Sequence, residues 1–118
     1  MRLDEYLATQ AVSADLSAGT KDDVLAELVG LLVGAHPDID AGRALAVLRE
    51  RERLGTTGIG DGVAIPHGKL EGLAPEGAAG QHLRLLAHIS RMLKSEDFRN
   101  ALLNAPDADA FVKLLAAA

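Results

Sequence analysis

The 118-residue sequence contains no cysteine. This absence excludes disulfides, thiol catalysis and thiolate metal sites. Aromatic residues make up only 3% of the chain, which leaves few rings to stack on nucleic-acid bases. Acidic residues outnumber basic ones, 17 against 12, for a net charge of −5. Because no basic run is present either, nucleic acid is not an expected partner.

Long apolar runs are missing as well. No stretch reaches the roughly 20 apolar residues that a membrane span needs. The N-terminal residues Met1 to Glu5 also lack the apolar core of a signal peptide. We therefore expect a soluble, cytoplasmic protein without a membrane span. The length is that of one domain, so a single domain over residues 1–118 is expected.

Five helices are predicted, because apolar residues recur every three or four positions in five segments. The first should cover about 21–34, the second should end at Gly55 after the Arg/Glu run at 49–53, and the third should cover about 78–94. Two short helices should follow it. The expected N-caps are Thr20, Asp40, Ser95 and Asp107.

The third helix carries two histidines at different positions around its axis. His82 falls on the apolar seam, whereas His88 shares a face with Arg84 and Arg91. We therefore expect His82 to point inward and His88 to be solvated.

The segment from Arg51 to Lys69, RERLGTTGIGDGVAIPHGK, is the part of the chain that indicates chemistry. Its glycines exclude a helix, and residues 63–65 predict a short apolar strand that Pro66 ends. His67 then stands between a proline and a glycine. Such a stiff backbone makes sense if the imidazole must be exposed, reproducibly aimed and open to a bulky anion.

The predicted strand at 63–65 has no obvious partner, although an isolated strand leaves its backbone groups unpaired. A short element near residues 6–12 could pair with it, but its strand signal is weak.

The stretch TGIGDGVAIPHG at 57–68 resembles the active-site segment of the fructose/mannitol-type IIA domains (EIIA type 2) of the phosphoenolpyruvate-dependent phosphotransferase system. The chain length and the stretch GQHLRLLAHI at 80–89 most resemble the nitrogen-regulatory branch of that family. The resemblance covers nearly the whole chain. It implies an α/β fold, a mixed β-sheet flanked by helices.

The sequence departs from the family pattern between Gly72 and Leu73. Members of the family carry several strands of the central sheet there, and this sequence carries none. Either residues between these two positions are absent from the structure, or the protein itself is shortened. We favour the first, because a real deletion would remove sheet from a core of marginal stability.

The resemblance implies that His67 is the phosphorylated histidine. An ordinary imidazole, with a pKa of about 6.5, is mostly neutral and nucleophilic near pH 7. His82 matches the second active-site histidine of the family, which positions the first histidine or its phosphate. The alternative for His82 is a structural histidine in the core, whose ring nitrogens have hydrogen-bond partners. No third ligand accompanies these two, so neither a metal site nor a cofactor is expected.

Three further residues are candidates for binding the phosphate. Arg51 matches an arginine bordering the family's site and could pair bidentately with phosphate. Thr57 could offer a hydroxyl or backbone donor, and Lys69 lies two residues beyond His67. The alternatives are a solvated helix-end charge for Arg51, turn formation for the glycines after Thr57, and a surface lysine for Lys69.

The expected function is a phosphotransferase component that takes a phosphoryl group on His67 from an HPr-like phosphocarrier protein. In the regulatory interpretation, which the absence of a fused IIB domain favours, it then binds target proteins. A sugar-specific IIA would instead pass the phosphate to a IIB domain. The remaining alternative is a protein-binding module that keeps the fold and has lost transfer.

Overall fold

Five α-helices and a two-stranded antiparallel sheet make up the part of the chain that the computed structural model describes. This part comprises residues 6–69 and 78–117, and for residues 78–83 it comprises the backbone alone. The predicted α/β fold with a reduced sheet is therefore confirmed. The junction between Gly72 and Leu73 lies outside the described residues.

The chain divides into two compact units. The first unit contains residues 16–74, and the second contains residues 1–15 and 75–118. That residues 1–118 form a single domain of the family stays a prediction.

Helices α1 (Lys21–Ala35) and α2 (Ala41–Leu54) pack against each other in the first unit. The apolar side chains of Leu25, Val29 and Ala44 are 3 to 4% exposed and form its core. At the surface, Arg49 of α2 donates hydrogen bonds of 2.7 and 2.8 Å to the two carboxylate oxygens of Asp22 on α1. Apolar burial and this bidentate ion pair thus join the same two helices.

Both helices begin at the predicted caps. The Thr20 hydroxyl accepts a hydrogen bond from the backbone N–H of Asp23, and the Asp40 carboxylate accepts one from Arg43, each at 3.2 Å. These bonds satisfy donors that the first turn of a helix leaves unpaired. Helix α2 ends at Leu54, before Gly55, as predicted.

A hairpin of two short strands, β1 (Gly58–Gly60) and β2 (Val63–Ala64), follows α2. Gly58 pairs with Ala64 and Gly60 with Val63, with one irregularity in register. The connecting residues Asp61 and Gly62 both have positive φ, 58° and 77°. A type I′ turn requires this combination, and Asp-Gly is one of the dipeptides that favours it.

The partner of the predicted strand is therefore local. The expectation of a pairing element near residues 6–12 is wrong, because Thr9–Ala11 forms a 3₁₀ helix. The strand signal of β1 is missing from the sequence since two of its three residues are glycine.

The second unit contains α3 (Ala78–Met92), α4 (Glu96–Leu103) and α5 (Ala108–Ala116). The predicted caps are confirmed here too. Ser95 accepts from the N–H of Phe98 at 3.2 Å, and Asp107 accepts from the N–H of Ala110 at 2.8 Å. Helices α4 and α5 contact each other. None of the helices in the described ranges is long and apolar enough to cross a membrane.

The hairpin turn depends on glycine at position 62. Gly62→Ala should lower the free energy of unfolding by about 1 to 2 kcal/mol, because the left-handed region is unfavourable for a residue with a Cβ. Urea denaturation measures this change. Gly19→Ala is the control, since a Cβ at Gly19 meets nothing within 4 Å and its φ lies outside the left-handed region. Equal losses in both variants would contradict the assigned turn.

Candidate functional site

His67 lies just beyond the hairpin, and two hydrogen bonds at Ile65 connect it to the hairpin. The N–H of Ile65 donates to the carbonyl of Thr57 at 3.0 Å and extends the hairpin by one pair. The Nδ1 of His67 lies 2.8 Å from the carbonyl oxygen of Ile65. A carbonyl oxygen can only accept, so Nδ1 carries the hydrogen and the ring lone pair is on Nε2.

The residue after the histidine sits close to α2. A Cβ built at Gly68 would lie closer than 3.0 Å to Cγ1 of Val47. Valine on a helix has one strongly preferred side-chain rotamer and cannot easily move away. Glycine at position 68 therefore allows the histidine segment to approach the helix.

The start of the hairpin is held by the carboxylate of Glu52 on α2. The backbone N–H of Thr57 lies 3.1 Å from each carboxylate oxygen, and the Thr57 hydroxyl donates to Oε2. The ammonium of Lys21 on α1 lies 2.6 Å from Oε1. Glu52 thus connects α1, α2 and the hairpin through three donors.

This carboxylate is removed from water. The side chain of Glu52 is 9% exposed, whereas that of its partner Lys21 is 65% exposed. Thr57 is 6% exposed. The Lys21 ammonium and the Thr57 hydroxyl lower the pKa of Glu52 from 4.5 to about 2, against the opposing effect of burial. Glu52 is therefore ionised throughout the physiological pH range.

The candidate phosphate-binding residues have different surroundings. Arg51 is half-buried, and its Nη1 donates to the carbonyl of Gly55 at 2.8 Å, which keeps the guanidinium at the end of α2. Lys69 is exposed. Both donors of Thr57 bond to Glu52, so the structure places Thr57 in the support of the hairpin. The side chain of His82 on α3 lies outside the described residues.

His88 differs from the expectation. It is half-buried, and its Nε2 is shielded from water without a hydrogen-bond partner among the described residues. The prediction of a solvated His88 is therefore wrong, although Arg84 and Arg91 are exposed. His88 also lies three residues after Leu85, so it borders the apolar face of α3 as well as the arginines.

Glu52 lies beside the candidate site but is not among the residues that the sequence predicts there. It stands in a run of alternating charges, which is typical of a solvated helix end. A signal was present, however, because Glu52 lies four residues after Leu48 and eight after the buried Ala44. That spacing places it on the face of α2 that turns inward. No group of three or more potential metal ligands occurs in the described parts of the chain.

The ion pair predicts an acid-dependent stability difference. Folding lowers the pKa of Glu52 from 4.5 to about 2, so the carboxylate stabilises the fold above pH 4.5. This stabilisation is lost as the pH falls from 4.5 towards 2. Glu52→Gln has no titrating group there, so its unfolding free energy should change less over this interval than that of the wild type.

Urea denaturation at several pH values between 2 and 7 measures this difference. Glu50→Gln is the matched control. Arg53 lowers the pKa of Glu50 as well, but the Glu50 side chain is 57% exposed and solvent screens the pair. The pH dependence should therefore change less for Glu50→Gln than for Glu52→Gln. Identical pH dependence in Glu52→Gln and the wild type would disprove the assignment.

The close approach at Gly68 predicts a steric effect. Gly68→Ala should reduce the unfolding free energy by about 1 to 3 kcal/mol, the usual cost of an extra methyl group in a tight contact. Val47→Ala makes room for this methyl group, so the double variant should be more stable than the two separate losses imply. Chemical denaturation of all four proteins measures the coupling. Additive losses would show that the two residues are not in contact.

Comparisons with known proteins agree over the length of the chain. A family model described as "Phosphoenolpyruvate-dependent sugar phosphotransferase system, EIIA 2" matches residues 5–79 and 72–118. A nitrogen regulatory protein of Pseudomonas aeruginosa is 30% identical, over 98% of this chain and 95% of its own length. One of Bradyrhizobium diazoefficiens is 33% identical over the same shares.

A solved structure has the same fold. The crystal structure of nitrogen regulatory protein IIA-Ntr from Neisseria meningitidis aligns with a TM-score of 0.85, over 96% of this chain and 98% of that one. The sequence identity is 24%, so this likeness supports the fold alone.

The alignment also locates a length difference. It spans 146 positions with the Pseudomonas protein but covers 98% of this chain, about 116 of its 118 residues. About 30 positions of the relative (146 less 116) therefore face no residue here. The two-part family match places them near residues 72–79. The 118-residue sequence therefore lacks about 30 positions of this relative, and the explanation that residues are absent between Gly72 and Leu73 stays a prediction.

Proposed function

The chain belongs to the EIIA type 2 family of the phosphoenolpyruvate-dependent sugar phosphotransferase system, and on that premise we propose that it accepts a phosphoryl group on His67. The donor is an HPr-like phosphohistidine carrier. The observation that carries the proposal is the hydrogen bond from Nδ1 of His67 to the Ile65 carbonyl, since it fixes a nucleophilic lone pair on Nε2.

The transfer exchanges one nitrogen–phosphorus bond for another. The Nε2 lone pair of His67 attacks phosphorus, and the imidazole of the carrier leaves with the electron pair of the bond that breaks. Positive charge then develops on the His67 ring, where the Ile65 carbonyl accepting from Nδ1–H stabilises it. Phosphoryl transfer needs mainly alignment and charge stabilisation, and the held imidazole supplies the alignment.

The phosphoryl oxygens need positive charge around them. We assign this role to Arg51, which a hydrogen bond to the carbonyl of Gly55 keeps at the end of α2, and to the exposed Lys69. His82 is assigned to position His67 or its phosphate, as the family resemblance implies. Thr57 reaches the phosphate only if it exchanges its bonds to Glu52.

The regulatory interpretation has the stronger support. Two nitrogen regulatory proteins match this chain over nearly their whole length. A regulatory IIA signals through its phosphorylation state, because a phosphoryl group adds up to two negative charges and changes affinity for target proteins. Transfer to a IIB domain is the sugar-specific alternative.

The second candidate is a protein-binding module without transfer. The observation favouring it is the shortening by about 30 positions against the Pseudomonas relative, which removes the segment where the family resemblance places strands. Such a module would keep its partners but would not become phosphorylated.

Incubation with enzyme I, the phosphocarrier and phosphoenolpyruvate separates the two functions. The wild type should gain one acid-labile phosphate, and ³¹P and ¹⁵N NMR should place it on Nε2 of His67. His67→Ala should gain none, whereas His36→Ala should behave as the wild type because His36 lies exposed in the loop between α1 and α2. An unlabelled wild type would exclude the relay, and label on His67→Ala would exclude His67.

A further inference from the structure

A continuous chain of hydrogen bonds leads from α1 to the imidazole of His67. Lys21 bonds to Glu52, and Glu52 accepts from both donors of Thr57. The Thr57 carbonyl accepts from the N–H of Ile65 at 3.0 Å. The Ile65 carbonyl then accepts from Nδ1 of His67 at 2.8 Å. Every link lies within the first unit.

Among the acceptors of this series of hydrogen bonds, Glu52 is the ionised one, since the others are backbone carbonyl groups. Charge-assisted hydrogen bonds are shorter and about twice as strong as neutral ones. The Glu52 side chain is 9% exposed, so loss of its donors is also costly, because a charge shielded from water needs a partner. The attachment of Thr57 to Glu52 is therefore the firmest link between α2 and the hairpin.

The hairpin has little apolar packing to hold it instead. Its residues from Gly58 to Gly62 are all exposed, including Ile59 at 48%, and Ala64 is exposed as well. Val63 is half-buried. Three glycines in five positions add no side chains that could anchor the strands. Ile65 and Pro66 are half-buried, so the position of Ile65, and with it the acceptor for His67, depends on this partial packing together with the bonds at Thr57 and the contact at Gly68.

From these contacts we infer that Glu52 is a positioning residue for His67. It holds Thr57, Thr57 fixes the peptide of Ile65, and the Ile65 carbonyl fixes the tautomer and direction of the imidazole. Glu52 touches neither the phosphoryl group nor the carrier. The inference deepens the proposed acceptance of phosphate by His67 and rests on it.

Three variants test the inference. Glu52→Ala removes the acceptor, and Glu52→Gln keeps an amide oxygen that can still accept from Thr57. Glu50→Ala is the matched control, because Glu50 lies on the same helix and its carboxylate pairs only at the surface with Arg53. The two readouts are the tautomer of His67 from ¹H–¹⁵N NMR and the kcat and KM of phosphorylation by the phosphocarrier.

A positioning role predicts a loss in kcat with KM for the carrier unchanged. Misplacing a reacting group by about 1 Å can cost about 100-fold, so Glu52→Ala should lose about 10- to 100-fold in kcat. Part of its His67 should change to the tautomer with the hydrogen on Nε2. Glu52→Gln should lose about 3- to 10-fold, because a neutral acceptor bonds about half as strongly. Glu50→Ala should match the wild type in both readouts.

The inference is overturned if folded Glu52→Ala keeps the wild-type kcat and tautomer, if Glu50→Ala loses as much, or if KM alone rises. Should Glu52→Ala fail to fold, Glu52→Gln decides: wild-type values in both readouts overturn the inference, and the predicted partial loss supports it. A wild type that takes no phosphate overturns the proposed function instead, while the tautomer measurement still tests the role of Glu52.

Discussion

The ion pair and hydrogen bonds around the Glu52 carboxylate are the constraint on which the first unit depends. The Glu52 side chain, on α2, bonds to Lys21 of α1 and to Thr57 at the start of the hairpin. The Glu52 side chain is largely shielded from water and its carboxylate is ionised, so losing its donors would be costly. Apolar packing of Leu25, Val29 and Ala44 joins α1 to α2, whereas most residues of the hairpin are exposed. The polar contacts of Glu52 therefore attach the hairpin to the two helices.

Glycine gives this arrangement its geometry. Gly62 permits the left-handed turn between the strands, and Gly68 permits the backbone after His67 to approach Val47. Both positions exclude a side chain for a local steric reason. Glycines have no side chains that could pack and hold the segment in place. The glycines that allow the histidine segment its shape therefore also increase its dependence on Glu52.

Elements set by local rules could be predicted from the sequence, and those set by distant contacts could not. The caps at Thr20, Asp40, Ser95 and Asp107 each bond within three residues, so composition and spacing reveal them. Strand β1 has no side-chain pattern, and Asp61-Gly62 was its available signal. The role of Glu52 cannot be predicted from local spacing, because its partner Lys21 is distant in the sequence and its partner Thr57 lies beyond the end of α2. The proposed role of His67 follows from its flanking proline and glycine and from the family resemblance.

The shorter sequence fits a site in which the contacts of Glu52, and not a large sheet, orient His67. About 30 positions of the Pseudomonas relative have no counterpart here, and the family resemblance implies that strands in this segment would give a hairpin further backbone partners. In the described residues the sheet has two strands, so contacts other than a large sheet must orient His67. The hydrogen bonds from Lys21 through Glu52, Thr57 and Ile65 reach the imidazole without a larger sheet. A phosphate-accepting histidine is therefore physically compatible with the shorter chain, which weakens the main argument for a module that only binds.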